Sequence, residues 1–240
     1  MSTADSPAFS KAWNAAKTGN VDELTAVIQE HPKFVNEYST QGSGGTLMHV
    51  ATENGHIDII EKLVELGGSI VSRDARSMMP IHIAARKGHA MIIELLVLLC
   101  NKVIDMPISE GWTPMRMAVQ YGHTEVIETL VRLGSCVNNT LYDKTHTLVY
   151  TAAYNNDKPC IRTLKLLGAD CSSVPFTSTS ESTLKLLNST IDETEIAELR
   201  YRIYFSRSLM ERVLLELKVR HLRRRARIIK YFLKKNLKYQ

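Results

Sequence analysis

A unit of about 33 residues recurs along this chain, and a repeat of that length leaves few folds open. Ala51-Thr52-Glu53-Asn54-Gly55-His56 returns as Ala84-Ala85-Arg86-Lys87-Gly88-His89 and again as Ala118-Val119-Gln120-Tyr121-Gly122-His123. A fainter copy stands at Ala152-Ala153-Tyr154-Asn155-Asn156-Asp157. A unit so short cannot bury its own apolar face, so its copies must stack in file and share a continuous interior. Such an array offers an open flank to the outside rather than an enclosed pocket.

Within each copy the pattern predicts a helix, a tight turn, a second helix and an extended excursion. In residues 79–100, Pro80 suits a first helical turn, where its missing N–H costs nothing. Ile81, Ala84 and Ala85 give a short apolar face whose small side chains let helices approach closely. Gly88 ends the helix at a position expected to be left-handed. Ile92, Ile93, Leu95, Leu96 and Leu99 then form a second, more apolar helix. A second stop follows at Gly67, Gly134 and Gly168, but at Cys100 in the second unit, where a left-handed backbone would be strained.

Met79-Pro80-Ile81-His82-Ile83-Ala84-Ala85-Arg86-Lys87-Gly88-His89 resembles the ankyrin repeat signature, in which Thr-Pro-Leu-His precedes two alanines and Gly-His. The sister copies open with Thr46-Leu47-Met48-His49, Thr113-Pro114-Met115-Arg116 and Thr147-Leu148-Val149-Tyr150. A capping unit is readable at Ala15-Ala16-Lys17-Thr18-Gly19-Asn20. The resemblance implies an all-α solenoid: a capping repeat over 8–36, four ankyrin-like repeats over 37–172, and hydrogen bonds between repeats centred on the first His. Arg116 and Tyr150 replace that His, so the bonds are expected to be missing there. Asn156 replaces the turn Gly, a change that Asn tolerates best after Gly itself. The enlarged first loop, 37–45, is expected to be mobile. Residues 173–190 read as a Ser/Thr-rich linker or a decayed repeat, and 191–240 as a long basic helical extension.

Charge separates the two ends. Residues 200–240 carry fourteen Lys/Arg against two Glu, whereas the preceding 199 carry sixteen basic and twenty-three acidic groups. Leu214, Leu217, His221, Ile228, Ile229, Phe232, Leu233 and Leu237 form an apolar stripe in that extension. Arg220, Arg223, Arg224, Arg225, Arg227, Lys230, Lys234 and Lys235 supply its polar face. Four readings stand open: a docked or self-associating helix, a nuclear import signal, a binder of nucleic acid or anionic membrane through 218–238, and a helix gripped by a calmodulin-like partner.

Cys100, Cys136, Cys160 and Cys171 show no metal-ligand spacing and read as reduced filler side chains. His49 and His82 share one repeat position, and His56, His89 and His123 share another, so their repetition points to architecture. No phosphate loop, paired-Cys or His-Glu-x-x-His pattern is present. No cofactor, metal or catalytic residue is expected. With no membrane-length apolar run and no basic leader before Pro7, an intracellular location, cytoplasmic or nuclear, is expected.

In proteins that this chain resembles, the turn tips and the exposed side of the first helix form a concave binding face. Carried over by position, that face holds Arg76, Met78, Arg86 and Lys87, then Glu110, Trp112, Gln120 and Tyr121, then Lys144, His146, Tyr154 and Asn155. Trp112, at a turn tip, is expected to be largely exposed. The resulting expectation is a non-catalytic adaptor that holds another protein along this face. The alternative is nucleic-acid or anionic-membrane binding through the basic extension, with the repeats supplying protein contacts.

Overall fold

The computed structural model describes residues 6–40, 44–138, 147–171, 180–190, 192–199 and 201, with the side chain of Glu110 excepted. Its helices come in pairs at the repeat period. α1 (Pro7–Thr18) and α2 (Val21–Glu30) form the capping unit, and α3 (Leu47–Glu53) with α4 (Ile57–Glu65) the first repeat. α5 (Pro80–Lys87) with α6 (Ala90–Leu99), α7 (Pro114–Gln120) with α8 (Thr124–Arg132), and α9 (Leu148–Tyr154) with α10 (Lys158–Leu166) follow. α11 (Glu181–Asn188) comes last, and residues 193–199 are also helical. No strand occurs among the described residues. The chain divides into two units, Met1–Ile196 and Ala197–Gln240, and α1 to α11 all lie in the first. The basic extension beyond residue 201 lies outside the described residues.

First helices pack on first helices, α1 on α3 and onward to α9, while α2 meets α4, and α8 lies between α6 and α10. The sequence explains both rows. Ala15, Ala51, Ala84, Ala118 and Ala152 are fully buried, and a side chain that ends at Cβ is what lets the first helices lie close. The second helices bury one register four times over: Ile59, Ile60 and Leu63; Ile92, Ile93 and Leu96; Val126, Ile127 and Leu130; Cys160, Ile161 and Leu164. Spacings of one and four residues place these side chains on a single stripe, so one contiguous interior runs through the file.

Between the helix pairs the chain makes short fingers, and the first three are closed by one backbone hydrogen bond at the same register. Ser39 N–H donates to the Gly45 carbonyl, Asp74 N–H to that of Met78, and Ile108 N–H to that of Trp112, each at 2.9 Å. Residues 41–43 of the first loop, expected to be mobile, lie outside the described residues. At the second stop of the second repeat, Cys100 has φ −152 and ψ 100, an extended conformation, so the strain that a left-handed backbone would bring there does not arise. The chain leaves α6 directly into a 3-10 turn at Asn101–Val103, so no left-handed residue is needed.

The turn residue of the fourth repeat, Asn156, does adopt a positive φ of 53. Its side chain has a second task. The Asn156 Oδ1 accepts from the Ser180 hydroxyl at 2.9 Å and the Thr183 hydroxyl at 2.5 Å, at the start of α11. At the other end of that helix, the Lys165 ammonium donates to the carbonyls of Leu186, Leu187 and Ser189 at 2.6, 2.9 and 2.7 Å. These are carbonyls that a helix C-terminus leaves without intrahelical donors. α11 thus lies alongside α10 and runs the same way, its start at Asn156 and its end at Lys165. Ser180 falls 33 residues after Thr147 and caps the N–H of Thr183 just as Thr147 caps that of Tyr150.

Replacing Lys165 by Met strips three carbonyls of a charged donor while keeping the stem length. We expect amide exchange across 181–188 to quicken at least tenfold, consistent with about 1–3 kcal/mol of lost local stability, and exchange in α3 to α8 to stay unchanged. Hydrogen–deuterium exchange resolved by peptide checks this.

Candidate functional site

The histidines settle first, because they decide whether the site is chemical or mechanical. His56, following the first turn, sends Nε2 back to the Lys17 carbonyl at 2.8 Å. His123 sends Nε2 to the Arg86 carbonyl at 2.8 Å, and His89 points more weakly at that of Glu53, 3.4 Å away. Each therefore ties its own repeat to the last turn of the preceding first helix. The ring also lies flat against the preceding turn: a Cβ on Gly88 would fall 2.8 Å from the His123 ring, so Gly88 is required by contact as well as by its φ of 79. In the fourth repeat Asp157 replaces His and cannot donate; Asn155 takes over, its Nδ2 donating to the Gln120 carbonyl at 3.2 Å.

The other pair, His49 and His82, differ in partners. His49 Nδ1 faces the Thr46 N–H at 3.1 Å and its hydroxyl at 2.9 Å, which makes it the unprotonated nitrogen. Its Nε2 then donates to the Met78 carbonyl at 3.1 Å. At the equivalent position the second repeat has Met79 in place of Thr, and neither nitrogen of the fully buried His82 has a hydrogen-bond partner. The backbones of Met106 and Trp112 face that ring and favour its protonated form slightly, without closing a bond of ordinary geometry. Burial dominates and lowers its pKa from 6.5 to about 4. Burial likewise lowers that of His49.

The thiols are equally quiet. All four cysteines are free, and burial, aided by the neighbouring Asp157 carboxylate, pushes the Cys160 thiol up to about 12. Among the described residues no cluster of three His, Cys, Asp or Glu is placed to hold a metal ion.

What remains exposed along the first helices is a strip built from the residues just before each turn. Glu53 stands in α3, and Arg86 and Lys87 reach its Oε1 from α5 at 3.4 and 3.2 Å. Gln120 and Tyr121 follow at the end of α7, and Tyr154 and Asn155 at the end of α9. Tyr121 is 53 % and Tyr154 69 % exposed, and the Tyr154 ring stacks on Tyr150 at 6.3 Å. Arg76 is exposed in the second finger, its N–H donating to Asp74 Oδ1 at 2.9 Å.

Two expected members of the face sit differently. Met78 is only 4 % exposed: its N–H is held by Asp74 Oδ1 at 2.8 Å, and its sulfur lies beside the Arg86 guanidinium inside the finger. Trp112 is half-buried and packed on the core rather than largely exposed. Its free ring face carries the guanidinium of Arg116, whose Cζ lies 4.6 Å from the ring centroid. Glu110 occupies the turn Ser109–Gly111. Lys144, His146 and the whole basic set from Arg220 to Lys235 lie outside the described residues. Position matching passed over Glu53, Tyr150 and Arg116; for Arg116 the signal was a charge where sister repeats keep a buried His.

Stacked pairs of short helices with open flanks define a helical repeat protein. A family model for ankyrin repeats, in three copies, matches residues 12–106 and 81–174. These matches span well over half of the chain, which therefore belongs to the ankyrin repeat family. Ankyrin repeats generally mediate protein–protein interaction and are typically non-catalytic. None of the curated proteins compared matches the chain. No helix among the described residues is long and apolar enough to cross a membrane.

The contrast between the two buried histidines gives a prediction with a definite sign. A folded pKa below the unfolded value means that the unfolded chain takes up protons first. Stability is therefore full above about pH 6.5 and is lost as pH falls toward 4, by up to on the order of 3 kcal/mol through His82. Replacing His82 by Leu removes an unpartnered polar ring, so we expect a change within about 1 kcal/mol at pH 7.5 and a flatter decline at pH 5. Replacing His49 by Leu orphans Thr46 and the Met78 carbonyl and is expected to cost about 2–3 kcal/mol at pH 7.5. Urea melts of both variants at the two pH values check this.

Proposed function

We propose that this protein is a non-catalytic adaptor that holds a partner protein along the strip formed by the first helices and their fingers. The observation that carries this reading is the exposure of Tyr121 and Tyr154 on a rigid frame. Neither large side chain is buried in the array, and both project from helix ends fixed by inter-repeat hydrogen bonds. Aromatic side chains in such positions resemble the anchors on which interfaces depend. A frame that is already ordered also reduces the side-chain and loop ordering that association requires.

Arg76, Arg86, Lys87, Gln120 and Asn155 surround these anchors and supply hydrogen-bonding groups. Glu110, Lys144 and His146 join the proposal by repeat position. Met78 belongs to the frame beneath them. The basic set on 218–238 remains a separate candidate for nucleic acid or anionic membrane, supported by its charge alone.

Because Trp112 is packed on the core, its truncation is expected to lower both stability and binding. The separating variant is Tyr121→Ser combined with Tyr154→Ser. We expect its melting temperature to stay within about 2 °C of the parent, since exposed substitutions change stability little. Captured partner proteins are expected to fall at least tenfold, as loss of two anchors implies. Quantitative mass spectrometry of material retained on the intact chain and on this variant decides, and unchanged recovery would overturn the proposal.

A further inference from the structure

Arg116 brings a charge to a position that the repeat elsewhere fills with His or Tyr. Six residues before the turn, the first two repeats keep His49 and His82 buried in the interior. The third repeat places a guanidinium there, half-buried, on the ring face of Trp112. Because Trp112 itself packs on the core, that platform is fixed and the cation is held in one place.

The charge of Arg116 is not neutralised by any carboxylate among the described residues. Five acids of the array have partners of their own, Asp74 through one oxygen only: its Oδ1 accepts from the Arg76 and Met78 N–H groups, while its Oδ2 is buried and unpartnered. Glu53 serves both Arg86 and Lys87, Glu94 pairs with Arg132, Asp105 accepts from Ser135, and Asp157 caps α10 through the Cys160 N–H. The Nε of Arg116 is buried without an acceptor, and so is that of Arg86 on the neighbouring helix. Both guanidinium groups are therefore partly desolvated with their donors incompletely used. An anion arriving at their outer nitrogens meets charges that water no longer screens fully.

The sign of the surroundings sharpens the contrast. Glu53, Arg86, Lys87 and Arg116 together leave two net positive charges on this strip, within the first 199 residues, whose charged side chains are mostly acidic. Nucleic acid would need cations spaced along a groove, each neutralising a phosphate. Three cations on two neighbouring helices of a mostly acidic body do not offer that.

We propose that Arg116, stacked on Trp112, with Arg86 on the neighbouring helix, is the anchor for an acidic segment of the partner protein. A carboxylate of that segment takes both outer nitrogens of Arg116. This inference rests on the reading that the strip binds protein, and it adds the chemistry of what is bound.

The test uses the full chain, with the Trp112 indole N–H resonance as a local reporter that binding at the basic extension does not supply. Three probes are titrated: a peptide rich in Asp and Glu around one aromatic residue, the same peptide with Asn and Gln in their place, and a single-stranded oligonucleotide of equal charge. We expect only the acidic peptide to shift Trp112. Arg116→Gln is expected to weaken that binding by about 10- to 100-fold and Arg116→Lys by less, since Lys keeps the charge but not the fork. Melting curves establish that both variants are folded. An equal response to the amide peptide or the oligonucleotide, or an acidic peptide that binds Arg116→Gln unchanged, overturns the inference. Partners lost from the Tyr121/Tyr154 variant but kept by Arg116→Gln would leave the binding strip standing and remove its acidic anchor. Partners kept by both would remove the two together.

Discussion

The fold depends on one repeated hydrogen bond: a donor beside each turn reaches back to a carbonyl in the last turn of the first helix before it. His56 takes the Lys17 carbonyl, His123 that of Arg86, and Asn155 that of Gln120. A short helix has few residues with which to satisfy its terminal carbonyls, and a seven- or eight-residue helix is marginal alone in water. The neighbour's donor answers both problems and fixes the spacing between repeats. The turn glycine follows from the same contact, because the ring that carries the donor fills the space a side chain would occupy.

Much of this was legible in the sequence, because it recurs. Alanines, turn residues and post-turn histidines mark the first helices, and the buried triplets of the second helices differ only among Ile, Val, Leu and Cys. Less legible was the direction in which finger residues point. Met78 and Trp112 share the last position of their fingers, and the finger backbone, bent at Ser77 with φ 60 and gripped by Asp74, turns Met78 inward. Periodicity of 3.6 residues says nothing about a bend of that kind. The exit at Cys100 was hard to read for a related reason, since a 3-10 turn ends a helix without any left-handed residue to announce it.

The last helix is fastened to α10 by polar contacts at both ends. The hydroxyls of Ser180 and Thr183 converge on Asn156, and Lys165 holds the far end. The departure of Asn156 from Gly thus has a reason outside its own turn. Its amide oxygen supplies an acceptor that glycine lacks.

The back-reaching donor also gives the array a sense of direction. Every repeat completes the helix upstream of it and leaves its own first helix to be completed by the repeat downstream. A polypeptide leaving the ribosome from its N-terminus therefore always brings a fresh donor to an acceptor already in place. Each new hairpin has a finished template waiting, and growth needs no rearrangement of what has already folded.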